Sequence, residues 1–189
     1  MRHLKIIILI LFSTVIVSGA DPNAFSEMAV TVQINRGINR TPFHQSWQAG
    51  DGFSLFYRTP FMRGILSAGL AYTPYHGKTI YRPDYQSYFI SMGWLYYFPL
   101  PFNFQLMPGV RFGNYLMNFD IESGDNKYES EISYEIFCFL EKPVNEQVLF
   151  NVEISRQIIF TYEVLTFSHI KAGLTFNIDD SNWLGDILR

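Results

Sequence analysis

The sequence has little charge for its length. Charged residues make up 16% of its 189 residues, against roughly 25% in an ordinary soluble domain. The sequence also lacks a cluster of basic residues, and its formal net charge is -3. We therefore expect no nucleic-acid partner. Intrinsic disorder is excluded as well, because 48% of the residues are hydrophobic.

Other absences narrow the fold class. A single cysteine excludes a disulfide scaffold, and the sequence has neither the heptads of a coiled coil nor the glycine period of collagen. After residue 17, charged, polar, glycine or proline residues interrupt every apolar stretch. The remaining possibility is one domain with too few charges to cover a water-facing surface.

Residues 1–20 have the pattern of a cleaved secretory signal peptide. Arg2 and Lys5 supply the positive region, residues 6–17 an apolar run, and residues 18–20 the small residues of a cleavage site. The apolar run is shorter than the roughly 20 residues of a membrane-spanning helix, so a retained anchor is the alternative. We predict cleavage after Ala20.

The rest of the chain alternates polar and apolar residues with the period of β-strands. Such segments are rich in Val, Ile, Tyr, Phe and Thr. They lie at approximately 27–36, 52–58, 64–74, 85–97, 102–117, 127–140, 147–158 and 163–177. We predict an all-β fold over residues 21–178, an eight-stranded antiparallel up-and-down transmembrane barrel, followed by a short tail at 179–189.

The links between these segments alternate in length. Short links contain Pro60, Pro99 with Pro101, and Pro143, whereas polar links at 37–51, 75–84 and 118–126 are longer. Outer-membrane barrels have short periplasmic turns and long extracellular loops. The alternation therefore predicts that both chain termini are periplasmic.

Each segment has one apolar and one polar face. In the segment 85–97, for example, Ile90 and Met92 share the apolar face, and Ser91 lies on the other. We expect the apolar face to contact lipid, because a closed strand ladder satisfies all backbone hydrogen bonds there. The alternative is a soluble barrel with the apolar face inside. Aromatic residues near the strand ends are predicted to form two interfacial girdles: Tyr57, Phe61, Tyr72, Tyr75, Tyr85, Phe98, Phe102, Phe104 and Tyr128.

The last strand carries a more specific pattern. Lys171, Gly173, Phe176 and Ile178 are spaced like the insertion signal of outer-membrane barrels. In this pattern and in its topology, the chain resembles the small eight-stranded outer-membrane barrels of the OmpA and OmpX kind. The resemblance implies an outer-membrane location, contact with lipid and lipopolysaccharide, delivery by the barrel-insertion machinery and a monomeric state. Most such barrels end on the aromatic residue, whereas this chain continues to Arg189.

The polar faces carry charges of both signs. A barrel of eight strands is just wide enough for side chains to fill, and buried charges are tolerated when they are paired. We therefore predict a polar plug rather than a channel. Its candidate members are Arg58, Arg111, Glu129, Glu131, Glu135, Glu153, His169 and Lys171.

Residues that resemble catalytic or metal-binding groups have simpler interpretations. Ser168 and His169 are neighbours on one strand and point to opposite faces, so they form no Ser–His pair. Contact between His169 and Glu153 is more typical of structure than of catalysis. Cys138 lies on an apolar face, where a lone cysteine acts as a small hydrophobe.

Histidines in the long links, His44 and His76, lack the spacing of metal ligands, so neither a metal nor a cofactor is predicted. The Pro108–Gly109 pair predicts a bulge or bend, because proline removes a ladder hydrogen bond.

These features favour a structural or surface-interaction role in the cell envelope. The alternatives are an enzyme that modifies lipid A, of the deacylase or acyltransferase type, and a small gated channel. No link carries a motif that identifies an extracellular partner.

Overall fold

The computed structural model describes residues 25, 27–38, 46–121, 127–162 and 164–178. Its long strands are β1 (Met28–Gly37), β3 (Asp51–Phe61), β4 (Gly64–Gly77), β5 (Tyr85–Leu95), β7 (Gln105–Phe119), β8 (Tyr128–Pro143), β9 (Val148–Ile159) and β10 (Leu165–Ile178). Two short strands, β2 (Trp47–Ala49) and β6 (Phe98–Pro99), extend the edges of β4 and β7. The predicted signal peptide, the tail at 179–189 and His44 lie outside the described residues.

The eight long strands form a closed barrel. Each pairs antiparallel with its neighbours in chain order, and β1 closes the ring on β10. The first pair of that closing ladder is Met28 opposite Ile178. We call this end of the barrel the terminal end, and the opposite end, where Gly77 and Tyr85 lie, the rim end. The predicted fold class is confirmed.

No described helix has the length and apolar character needed to cross a membrane.

The alternation of side chains agrees with the predicted faces. Outward-facing Ile34, Met92 and Ile154 are 69%, 60% and 58% exposed, whereas inward-facing Gln33 and Ser91 are buried. Successive side chains of a strand point to opposite faces. Residues at alternate positions therefore face outward along the wall, and the residues between them fill the interior.

The link between β3 and β4, at the terminal end, is tight. Met62 and Arg63 alone join β3 to β4, with φ values of 47° and 60°, as in the two-residue hairpin turns that require positive φ. Pro60 and Pro143 lie within strands rather than in the links to which they were assigned. Pro60 is near a strand end, where its missing N–H interrupts little of the ladder.

Two aromatic residues assigned to the girdles lie elsewhere. Tyr75 and Tyr85 are buried inside the barrel and stack on each other, with ring centroids 4.6 Å apart. Their positions in β4 and β5 have the inward parity, which outweighs their closeness to the strand ends. That part of the girdle prediction is wrong.

Pro108 does not produce a bulge. The pairing of β7 with β8 keeps one register from Gln105 to Asn118, and β6 continues the register of β5 on the other side. Pro108 O accepts a hydrogen bond from Tyr96 N at 2.9 Å, while proline has no N–H to return one. The hydrogen bond that Pro108 cannot donate therefore interrupts the ladder between β5 and β6, and the register of β7 is unchanged.

Candidate functional site

Four charged side chains meet inside the barrel at mid-height. Arg111, Glu135, Glu153 and Lys171 come from β7, β8, β9 and β10, which are consecutive strands. The register places Arg111 opposite Glu135 and Lys171 opposite Glu153. Each side chain is at most 3% exposed. We call these residues the ion cluster.

Each cation of the ion cluster contacts both carboxylates. Arg111 donates to Glu153 with both terminal nitrogens, Nη1 to Oε1 at 2.8 Å and Nη2 to Oε2 at 2.7 Å. Its Nη1 also donates to Glu135 Oε2 at 2.9 Å. Lys171 Nζ lies 2.8 Å from Glu135 Oε1 and 2.8 Å from Glu153 Oε1. The cluster is electrically balanced and joins four strands.

Aromatic rings cover the guanidinium group of the ion cluster. Arg111 Cζ lies 3.7 Å from the ring centroid of Phe137 and 4.0 Å from that of Phe56. Phe56 belongs to β3, on another part of the wall. These cation–π contacts connect the ion cluster across the barrel interior.

A second charge pair lies toward the terminal end. Arg58 Nη2 donates to Glu141 Oε1 at 2.6 Å, and Thr175 contacts both residues. The Arg58 guanidinium stacks on Phe139 at 4.8 Å. Sequence reasoning missed Glu141 because it ended the strand at residue 140. Glu141 has the same parity as Glu135, and this parity could have identified it as an inward-facing residue.

Two glutamates predicted for the interior lie apart from the ion cluster. Glu129 is exposed and Glu131 is half-buried, and both are near the rim end of β8. They have the inward parity of Glu135, but the strand continues beyond the filled part of the barrel. The parity of a residue shows which face of the strand it lies on, but not how deep in the barrel it lies.

His169 lies inside the barrel, one layer closer to the rim end. Its ring is buried and stacks on Phe167 with centroids 6.2 Å apart, and its Nδ1 has no hydrogen-bond partner among the described residues. It borders a cavity of about 10 Å³ shared with Glu135 and Lys171, about the space of one water. Ser168 lies on the opposite face of β10, so these neighbours form no Ser–His pair.

The ends of the interior differ in their filling. Toward the rim end, Tyr75, Tyr85, Phe89, Tyr115 and Phe167 form a buried aromatic cluster. Toward the terminal end, a cavity of about 330 Å³ reaches Arg58 and Glu141. The paired charges therefore lie between an aromatic layer and an open mouth.

The residues of the proposed insertion signal have distinct surroundings. Lys171 belongs to the ion cluster, whereas Phe176 and Ile178 face outward and are about two-fifths exposed. At Gly173 a Cβ atom would lie 1.9 Å from Val32 O, so the close approach of β1 and β10 requires glycine. Whether these residues act as an insertion signal stays a prediction.

Two other residues singled out in the sequence lie on the outside. Cys138 is exposed on the outward face of β8. His76 Nδ1 lies 2.9 Å from Asp84 Oδ2, and Gly77 N donates to Asp84 Oδ1 at 2.7 Å. The hydrogen bonds from His76 and Gly77 hold the pKa of the Asp84 carboxyl below its usual value. These residues close the rim-end link between β4 and β5.

Comparison by sequence found no match among protein-family models or curated proteins. Comparison by structure found small barrels. Neisserial surface protein A superposes with a TM-score of 0.57 at 13% identity, covering 81% of this chain and 97% of that one. The N-terminal β-barrel domain of Pseudomonas aeruginosa OprF gives 0.51 at 14% identity, with coverages of 82% and 99%. The Yersinia pestis outer membrane protein Ail gives 0.51 at 13%, with 81% and 99%. At these identities the likeness concerns the fold, which is that of the small eight-stranded outer-membrane barrels.

Proposed function

We propose that this chain is an outer-membrane protein with a closed interior and a structural or surface-interaction role in the cell envelope. The observation that carries the proposal is the ion cluster. It joins four neighbouring strands through Arg111, Glu135, Glu153 and Lys171, and each of these side chains is at most 3% exposed.

The ion cluster favours a plug over a pore. A conducting pathway needs charged groups that face water and exchange partners with passing ions. Here every cation is engaged by two carboxylates, and two phenylalanine rings cover the guanidinium. Releasing one charge from such a cluster leaves its partner buried and uncompensated, which costs about 3 to 5 kcal/mol.

The outward face supports an outer-membrane location. Its exposed residues include Ile34, Ile132 and Phe112, at 69%, 70% and 60%. A contiguous apolar surface of this kind is rare on soluble monomers, and a closed barrel leaves no strand edge unsatisfied in lipid. By resemblance to outer-membrane barrels, the terminal end would face the periplasm and the rim end the exterior.

The rim end offers the surface for an interaction with the exterior. Trp47, Arg82 and Glu129 border a cavity of about 410 Å³ there, and the Arg82 guanidinium stacks on Trp47 at 4.9 Å. This end combines aromatic, cationic and anionic groups, which suit recognition of a partner. The proposal is therefore that the partner is extracellular.

Planar-bilayer recording and cell fractionation test the proposal together. The purified protein, inserted in a lipid bilayer, is expected to give no discrete conductance, and the protein in cells is expected to fractionate with outer membranes. Glu153→Gln serves as the matched variant, because it removes one negative charge from the ion cluster and leaves a cation without its partner. A steady conductance of the unmodified protein would overturn the closed interior, and recovery as a soluble periplasmic protein would overturn the location.

A further inference from the structure

An arginine interrupts the apolar outward face near the rim end. Arg156 lies on β9 between Ile154 and Ile158, opposite Ile136 of β8 and Ser168 of β10. It is exposed, and within the described ranges no carboxylate lies at ion-pairing distance from it. Charge on a lipid-facing wall is costly unless it reaches the interface or an anionic partner. The Arg156 guanidinium must therefore reach the membrane interface or an anionic group outside the described protein atoms.

A second arginine lies two strands away. Arg36 of β1 faces outward, opposite Ile170 of β10 and Asp51 of β3. Its Nε is 3.5 Å from Asp51 Oδ1, and the two side chains are 74% and 67% exposed. An ion pair this exposed contributes little, so a more highly charged anion can displace it.

The register brings the two arginines to the same part of the wall. Arg36 pairs with Ile170 and Arg156 pairs with Ser168, both on β10, which lies between β1 and β9. Neighbouring strands are about 4.8 Å apart, so the two backbone positions are separated by roughly 10 Å across β10, and the two-residue offset between Ser168 and Ile170 adds roughly 7 Å along it. The long side chains of both residues can therefore reach a single headgroup.

Aromatic residues mark the same level of the barrel. Tyr134 of β8 pairs with Ile158 of β9, and its ring lies 5.6 Å from that of Phe160. Aromatic side chains collect where hydrocarbon meets headgroups. Arg156 lies two residues from Ile158 toward the terminal end, roughly 7 Å along the strand, and its long side chain can extend to this level, where lipid phosphates are found.

We propose that Arg36 and Arg156 bind the headgroup of a phosphorylated glycolipid. A guanidinium presents a planar fork of donors that matches phosphate oxygens and binds them in pairs. Ile34 and Ile154, on the terminal-end side of the two arginines, and Ile170, opposite Arg36, offer an apolar wall for the acyl chains of the same lipid. The inference rests on the proposed function, because it needs this wall to lie in the outer leaflet.

A binding titration in neutral detergent micelles tests the site. The probes are lipid A, lipid A from which both phosphates have been removed, and inorganic phosphate. The unmodified protein is expected to bind lipid A and neither of the others at comparable concentration. Arg36→Gln and Arg156→Gln are each expected to weaken lipid A binding about tenfold, since each removes a charge-assisted contact.

The matched control is Lys142→Gln. Lys142 is also an exposed cation on the outward face of β8, but it lies at the terminal end, with Nζ 5.0 Å from the Phe104 ring centroid. Its replacement is expected to leave binding unchanged. Equal affinities in all variants, or equal binding of the dephosphorylated lipid, would overturn the site. Tight binding of inorganic phosphate alone would overturn the lipid as its ligand. Fractionation of the protein away from the outer membrane would instead refute the proposed function.

Discussion

Replacing Glu153 by glutamine perturbs the ion cluster without removing volume. Glu153 accepts two hydrogen bonds from Arg111 and lies 2.8 Å from Lys171 Nζ. In Glu153→Gln, Arg111 and Lys171 share Glu135 alone, and one positive charge is uncompensated in the interior. We expect the free energy of unfolding to fall by about 3 to 5 kcal/mol.

A second change restores the charge balance. Lys171→Met alone leaves Arg111 facing two carboxylates, and it should also destabilise the barrel. In the double variant Arg111 and Glu135 remain as one neutral pair, 2.9 Å apart. The double variant should therefore be more stable than the sum of the single effects predicts, by about 1 to 3 kcal/mol.

Urea titration of the barrel folded in lipid vesicles measures these quantities, with the gel mobility of unheated samples reporting the folded fraction. The control is Glu129→Gln, a matched substitution at an exposed position of the neighbouring strand β8. It should change stability by less than about 0.5 kcal/mol and show no coupling to Lys171→Met. Strict additivity of Glu153→Gln and Lys171→Met would refute the reasoning that the ion cluster acts as one balanced unit.

Three further substitutions test the wall, a turn and a loop. Val152→Arg, in the middle of β9 on the outward face, should cost about 2 to 4 kcal/mol in vesicles, whereas Ile132→Arg near the rim should cost about 1 kcal/mol or less; equal costs in urea titrations would contradict the assigned depths. Arg63→Gly should raise the free energy of unfolding by about 1 kcal/mol, because a φ of 60° strains a residue with a Cβ atom; an unchanged urea midpoint would count against that strain. At the rim end, the lowered pKa of Asp84 stabilises its loop above the ordinary aspartate pKa, and this contribution is lost as pH falls through the lowered value. In His76→Gln, NMR titration should find Asp84 protonated at a higher pH than in the unmodified protein, and an identical titration curve would contradict the assigned cause.

The strand pattern was readable from the sequence for a physical reason. Each wall strand has one face toward the interior and one away from it, so the polar and apolar positions alternate without the masking that a second packed layer introduces. Ile90 and Ser91 lie on opposite faces for this reason, as predicted. All eight strands were found, with their ends displaced by a few residues.

The alternation of polar and apolar residues does not predict which side chains contact each other across the interior. Parity places Arg111, Glu135, Glu153 and Lys171 on inward faces, but their mutual distances depend on the stagger between strands, which no single strand encodes. Strand ends were weakly specified for a related reason, because turn residues such as proline also occur in the last pairs of a ladder. Glu141 was lost in this way.

Aromatic residues near strand ends carry two meanings. A tyrosine there can lie in a membrane interface or cap the interior, and its amphipathic ring suits both positions. Only its parity within the strand separates the two. Tyr75 and Tyr85 have inward parity and stack inside the barrel, whereas Tyr72, with outward parity in β4, lies on the wall beside Phe53 and Tyr88.

The accessibility of Cys138 tests the membrane-facing wall most directly. It is the single cysteine of the sequence and lies exposed on the outward face of β8, so a spin label attaches there without any substitution. In vesicles, the label should collide readily with oxygen dissolved in the bilayer and rarely with a water-soluble nickel complex. A label that instead collides freely with the nickel complex and is shielded from oxygen would contradict the account.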